Sequence, residues 1–222
     1  MRRTRVKICC IADTEEADLA IAAGADALGL VARMPSGIGP ISNAAIWRVS
    51  RGLPAGVDSF LLSSETEAAP LIAHVHRCGT RTLQIVDRVA PDVRRRLRAA
   101  LPWLRIVQVV HVVDASALAE AVEVAQTADA ILLDSGKPDA AVKTLGGTGD
   151  THDWSLSARI VGACPKPVWL AGGLVPENVG NAIREVRPFG VDLCSGLRTD
   201  DRLDAHRVTR FMGAVRAADG RP

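Results

Sequence analysis

The chain has 222 residues, 48% of them apolar, with 27 basic and 25 acidic side chains. That length suits one domain of barrel size, and the near-balanced charge leaves no basic stripe for a nucleic-acid partner. Tyrosine is absent and phenylalanine rare, which argues against base stacking, and no apolar run approaches the ~20 residues that span a bilayer.

The elements expected from periodicity alternate along the chain. A strand at 5–10 leads to a helix with Thr14 at its N-cap and Glu15-Glu16 in its first turn, ending near Gly24. A strand at 25–31 and a Gly/Pro-rich loop at 35–40 precede a helix capped by Ser42. A strand at 57–63 is followed by a helix to about Cys78, and one at 82–86 by an Arg-rich helix after Pro91. The run Arg94-Arg95-Arg96 with Arg98 reads as a solvated helix face. Then come a strand at 104–110 with a helix at 115–127, and a strand at 129–134 with a long Gly-rich loop to Asp153 and a helix from Ser155. A strand at 167–171 with a helix at 176–186, and a strand at 191–194 with a helix ending near Val215, complete the series.

Strands separated by helices must pair in parallel, because each crossover needs a helix. Eight such units in 222 residues predict an α/β fold, a (β/α)8 TIM barrel filling 1–222 as one domain, with a doubly wound open sheet as the alternative. The five cysteines are scattered, odd in number and lack zinc-site spacing. They read as reduced thiols of a soluble cytoplasmic protein, and the N-terminus carries no signal-peptide pattern.

In such barrels chemistry sits at the C-terminal ends of the strands. Alternation puts Lys7 and Cys9 on one face of the first strand and Ile8 and Cys10 on the other. A lysine facing the barrel interior could lower a neighbouring thiol pKa; otherwise Cys9 is a small buried apolar residue. Asp134 follows three large aliphatics at the mouth of the barrel, as an acid group or as the start of a turn. Two glycine turns, Gly172-Gly173 and Ser195-Gly196, follow the last two strands, where barrels often seat phosphate.

These stretches together resemble the phosphoribosylanthranilate isomerase family of tryptophan biosynthesis. The matching segments are Val6-Lys7-Ile8-Cys9, Gly24-Ala25-Asp26-Ala27-Leu28-Gly29 and Ile131-Leu132-Leu133-Asp134-Ser135. They continue with Gly146-Gly147-Thr148-Gly149, Asp153-Trp154, Leu170-Ala171-Gly172-Gly173-Leu174, Pro176-Glu177-Asn178-Val179, Val191-Asp192 and Ser195-Gly196. The resemblance implies a barrel without a cofactor or metal that carries out an Amadori rearrangement of a phosphorylated small-molecule substrate. It implies Cys9 as general base and Asp134 as general acid, with Gly172, Gly173, Ser195 and Gly196 binding phosphate. Lys7, Arg33 and Asp153 are the expected substrate-binding residues. No nucleic-acid or membrane partner is implied, and the chain would be a monomer or homodimer.

Acid and base must hold opposite protonation states at one pH, so a nearby cation, Lys7, is expected to pull Cys9 down while burial pushes Asp134 up. Departures from the family lie elsewhere. Cys10 stands where a glycine is usual, and is expected to point outward. Gly39 replaces an arginine, Val86-Asp87 replaces His-Gly, Gln108 replaces a lysine and His152 an aromatic residue. They suggest an altered aglycone pocket, with Arg33 as a substitute cation. A paralogue acting on another phosphorylated aminosugar is the alternative function, and a binding protein without turnover a third.

Overall fold

The computed structural model describes residues 3–34, 39–135 and 153–220. The expected loop residues 35–38 and 136–152, including Gly146-Gly147-Thr148-Gly149 and His152, lie outside them. Eight parallel strands close into a barrel in chain order: β1 (Arg5–Ile8), β2 (Ala27–Val31), β3 (Asp58–Ser63), β4 (Thr82–Ile85), β5 (Arg105–His111), β6 (Ala130–Asp134), β7 (Val168–Leu170) and β8 (Gly190–Leu193). Closure is made by β1 against β8, with Lys7 opposite Asp192. The open-sheet alternative is thereby excluded.

The helices are α1 (Thr14–Ala23), α2 (Asn43–Gly52), α3 (Ala68–Cys78), α4 (Pro91–Ala100), α5 (Ser116–Val124), α6 (Trp154–Ala163), α7 (Val179–Val186) and α8 (Ala205–Ala218). Their ends follow capping chemistry. Asp13, rather than the expected Thr14, caps α1 by accepting from the Glu16 N–H, and Gly24 closes it at φ 99°. Ser42 caps α2 as expected. A short hairpin, β9 (Arg198–Thr199) with β10 (Arg202–Leu203), follows β8 and had no signal in the periodicity.

Side-chain alternation sorts the apolar residues into two bodies. One lies between sheet and helices. The other fills the barrel and includes Ala27, Phe60, Leu62, Val107, Val109, Leu132 and Trp169. At its base Trp169 meets Phe60 and Phe189 edge-on, and Gly190 clears its ring: a Cβ there would lie 2.5 Å from it. The N-terminal ends of the strands are tied by carboxylates. Asp26 pairs with Arg5 and accepts from the Val6 N–H, and Asp129 pairs with Arg98 and accepts from the Ile106 N–H. This end serves stability, leaving the other for chemistry.

The Arg-rich run is not uniformly solvated. Arg95 and Arg96 are exposed, but Arg94 is buried, donating to Thr127, the Val89 carbonyl and Gln108 Oε1. Gln108 in turn donates to the Ile85 and Asp87 carbonyls. It faces α4, not the barrel, so its exchange for lysine does not alter the pocket.

Candidate active site

Three strands, β1, β6 and β8, bring inward-facing polar residues to the C-terminal end of the barrel. Cys9 follows β1, Asp134 ends β6, and between them lies the buried ion pair of Lys7 Nζ and Asp192 Oδ2 at 2.6 Å. Lys7 is fully buried and also stands over the Phe60 ring, 5.4 Å from its centroid. Burial pulls its pKa down, but Asp192 and Cys9 more than offset this and keep it protonated. Both Cys9 and Asp134 feel the charges of Lys7 and Asp192, so this pair couples base to acid.

The expected convergence of the two pKa values occurs on one side only. Burial pushes Asp134 up to about 6, against the hydrogen bond its Oδ1 accepts from the Ser135 N–H. Burial also pushes the Cys9 thiol up, to about 11. Lys7 does pull it down, as expected, but Asp192 opposes that pull and desolvation exceeds it. A cation already paired has little field left for a neighbour.

Cys10 departs from expectation. Its φ of 62° breaks the strand alternation, so it turns toward the barrel mouth and packs with Cys9 and Val31 instead of the helix layer. There it forms a disulfide with Cys194 across 184 residues. The reading of all five cysteines as reduced is thus corrected, and the thiol argument for a cytoplasmic location goes with it. Alkylation of denatured protein without reductant should mark three thiols (Cys9, Cys78, Cys164), and all five after reduction. Five labels without reductant in protein purified under air would rule the bridge out.

The replacement at Gly39 follows from Cys10. At φ 78°, a Cβ on Gly39 would lie 2.6 Å from the Cys10 Cβ. The two departures are one packing change: no side chain fits at 39 while Cys10 occupies the turn. The turn is held further by Arg198, which donates to the Cys10 carbonyl and pairs with buried Glu16 at 2.9 Å.

The glycine turns lie against each other. Gly172 and Gly173 both have positive φ, at 84° and 61°. A Cβ on Gly172 would press on Ser135, and one on Gly196 would lie 2.4 Å from the Leu174 carbonyl oxygen. Asn178 clamps the first turn, accepting from the Val175 N–H and donating to the Gly173 carbonyl.

The remaining expected contacts are less central. Asp153 caps α6, its Oδ1 accepting from the Ser155 and Leu156 N–H groups. Arg33 is exposed on the loop after β2 and makes no ion pair among the described residues. Three residues of the site were missed: Asp192, which holds Lys7; His111, buried at the end of β5; and Gly29, whose absent Cβ makes room for Cys9. The inward parity of Asp192 with the strand's end was the available signal for the first. No group of three or more His, Cys, Asp or Glu among the described residues could hold a metal ion, and no described helix is long and apolar enough to cross a membrane.

Comparison with known proteins places this geometry. The family model described as N-(5'phosphoribosyl)anthranilate (PRA) isomerase matches residues 6–214. An N-(5'-phosphoribosyl)anthranilate isomerase of Haloferax volcanii is 38% identical, over 98% of this chain and 95% of its own. The crystal structure of phosphoribosyl anthranilate isomerase from Thermotoga maritima superposes with a TM-score of 0.82 at 29% identity, covering 98% of this chain and 99% of its own. A phosphoribosyl anthranilate isomerase in complex with reduced 1-(o-carboxyphenylamino)-1-deoxyribulose 5-phosphate superposes with a TM-score of 0.79 at 27% identity, covering 98% and 99%.

Proposed function

The chain belongs to the N-(5'-phosphoribosyl)anthranilate isomerase family, and from that membership we propose that it converts N-(5'-phosphoribosyl)anthranilate to 1-(2-carboxyphenylamino)-1-deoxyribulose 5-phosphate in tryptophan biosynthesis. The observation that carries the assignment to residues is the shared orientation of Cys9 and Asp134. They come from opposite parts of the chain, face the same barrel mouth and sense the same Lys7–Asp192 pair.

Asp134, as its acid form, donates a proton to the furanose ring oxygen, and the ring opens to a protonated imine. Cys9 removes the proton from the adjacent carbon, giving the enol-amine that tautomerises to the ketose. With Asp134 near 6 and Cys9 near 11, the resting proton sits mainly on sulfur at neutral pH. The productive arrangement has the same proton count with the proton moved to Asp134. Substrate favours it because the ring oxygen accepts from the protonated carboxyl, and the imine cation that ring opening then produces stabilises the thiolate beside it for the second step.

The glycine turns at Gly172-Gly173 and Ser195-Gly196 hold the phosphate, Lys7 keeps charge balance beneath the reacting carbons, and Asp153 and Arg33 border the substrate from the loops. The catalytic domain is the whole chain, 1–222. Every proposed group comes from one barrel, so a monomer or a homodimer serves equally, and we place the reaction with cytoplasmic small-molecule metabolism. The paralogue reading is not favoured. Two of the departures behind it have structural accounts, Gly39 in the packing against Cys10 and Gln108 in its outward contact with Arg94.

Purified chain is expected to turn over phosphoribosylanthranilate, followed optically through the arylamine, and to restore growth of a tryptophan auxotroph lacking this isomerase. Folded protein that does neither would remove the assignment.

A further inference from the structure

Among the described residues, five buried side-chain polar atoms have no hydrogen-bond partner, and three of them are acceptors on inward-facing strand positions: Gln84 Oε1, His111 Nδ1 and Asp192 Oδ1. A buried acceptor left unpaired loses its hydration with no return, so three on the inner face of one barrel point to a ligand rich in N–H and O–H donors. His111 is the most informative. It ends β5, is 2% exposed, and is the register partner of Asp134 on β6, where the Val112 N–H to Asp134 carbonyl bond pins the strands together.

The ring's other nitrogen fixes its role. His111 Nε2 lies 3.3 Å from the Val86 carbonyl oxygen, which can only accept, so Nε2 carries the hydrogen and Nδ1 presents a lone pair. Burial holds the imidazole pKa down; the charges facing it, Asp87 and Arg88 after β4 and Glu120 on α5, are of mixed sign. A neutral acceptor does not suit phosphate or carboxylate. The phosphate turns follow β7 and β8, whereas His111 ends β5, on the other side of β6 and its Asp134, so the donor that reaches His111 belongs to the part of the substrate beyond the phosphate.

We propose that His111 binds substrate, accepting through Nδ1 a hydrogen bond from an N–H or O–H group next to the one that Asp134 protonates. This rests on the isomerase reading. Two substitutions separate the ring's two nitrogens. The amide of His111→Gln reaches the Nε2 position, keeping the bond to Val86 while losing the Nδ1 acceptor. The amide of His111→Asn keeps an acceptor at the Nδ1 position and loses the contact with Val86.

The dissociation constant of the reduced carboxyphenylamino-deoxyribulose 5-phosphate is expected to rise about tenfold in His111→Gln and to stay within about threefold in His111→Asn. Binding of inorganic phosphate, read by thermal shift, should be unchanged in both. The same titration with a ketose phosphate lacking the arylamine locates the donor: a persisting His111→Gln penalty assigns a sugar hydroxyl, and its disappearance assigns the arylamine N–H. Wild-type affinity in His111→Gln, or equal weakening toward inorganic phosphate, would overturn the proposal. Failure of the wild-type chain to bind or turn over any of these compounds would overturn the isomerase reading as well; normal wild-type turnover with an unaffected His111→Gln would overturn only the role of His111.

Discussion

Asp134→Asn should abolish most turnover and yet make the protein more stable at neutral pH. An amide cannot donate the proton that opens the sugar ring, and loss of such an acid–base step costs about 10²–10⁴-fold in rate. The stability gain has a separate cause. Burial raises the Asp134 pKa from 3.8 to about 6, so above pH 6 the folded protein carries a charge it holds less comfortably than the unfolded chain does. Such a shift corresponds to roughly 3 kcal/mol at neutral pH. The penalty is absent below about pH 3, where both states are protonated, builds as pH rises through 4 to 6, and is complete above. Asparagine keeps the Oδ1 acceptor for the Ser135 N–H and removes the charge. Thermal denaturation from pH 3 to 8 should show Asp134→Asn melting above the native protein at pH 7 and converging with it as pH falls to about 3. An equal or lower melting temperature at pH 7 would mean the carboxylate is not destabilised by its site. This is the stability–activity opposition expected of a group kept for chemistry.

Gly29→Ala should cost about 100-fold in kcat without removing any group that takes part in proton transfer. A Cβ at position 29 would lie 2.5 Å from Cys9 Sγ and 3.0 Å from Cys9 Cα. The sulfur is the freer of the two and would swing away, and displacing a reacting atom by about 1 Å can cost 10²-fold. Crowding should also cost about 1–3 kcal/mol of stability. The nearest atoms to a Cβ at position 29 all belong to Cys9 and none to the turns at Gly172 and Gly196, so inorganic phosphate is expected to protect the variant and the native protein from heat alike. In a double-mutant cycle, Cys9→Ala in the Gly29→Ala background should recover stability but not activity, because it removes the atom that is struck. Full activity in Gly29→Ala would show that the sulfur's position is not critical.

The alternation of apolar runs and helical stretches was enough to predict eight parallel units, their closure and the end of the barrel where chemistry belongs. Period-two parity within Val6-Lys7-Ile8-Cys9 put Lys7 and Cys9 inside, and three aliphatics before Asp134 put a carboxyl at the mouth. These are properties of contiguous residues, and local steric rules act on contiguous residues. What only the tertiary structure decided are the encounters between segments far apart in the chain. Lys7 is neutralised by Asp192, 185 residues on, and burial of Cys9, with that carboxylate opposing the lysine's pull, turns an expected acidic thiol into one held near 11. Cys10 meets Cys194 because one left-handed residue overrides strand parity. Arg94 and Gln108 turn toward each other under α4, and Gly29 and Gly39 are small because Cys9 and Cys10 need the space. Such contacts depend on how strands are registered when the sheet closes and on which backbone dihedral each turn adopts, and neither is written in the composition or period of any single segment.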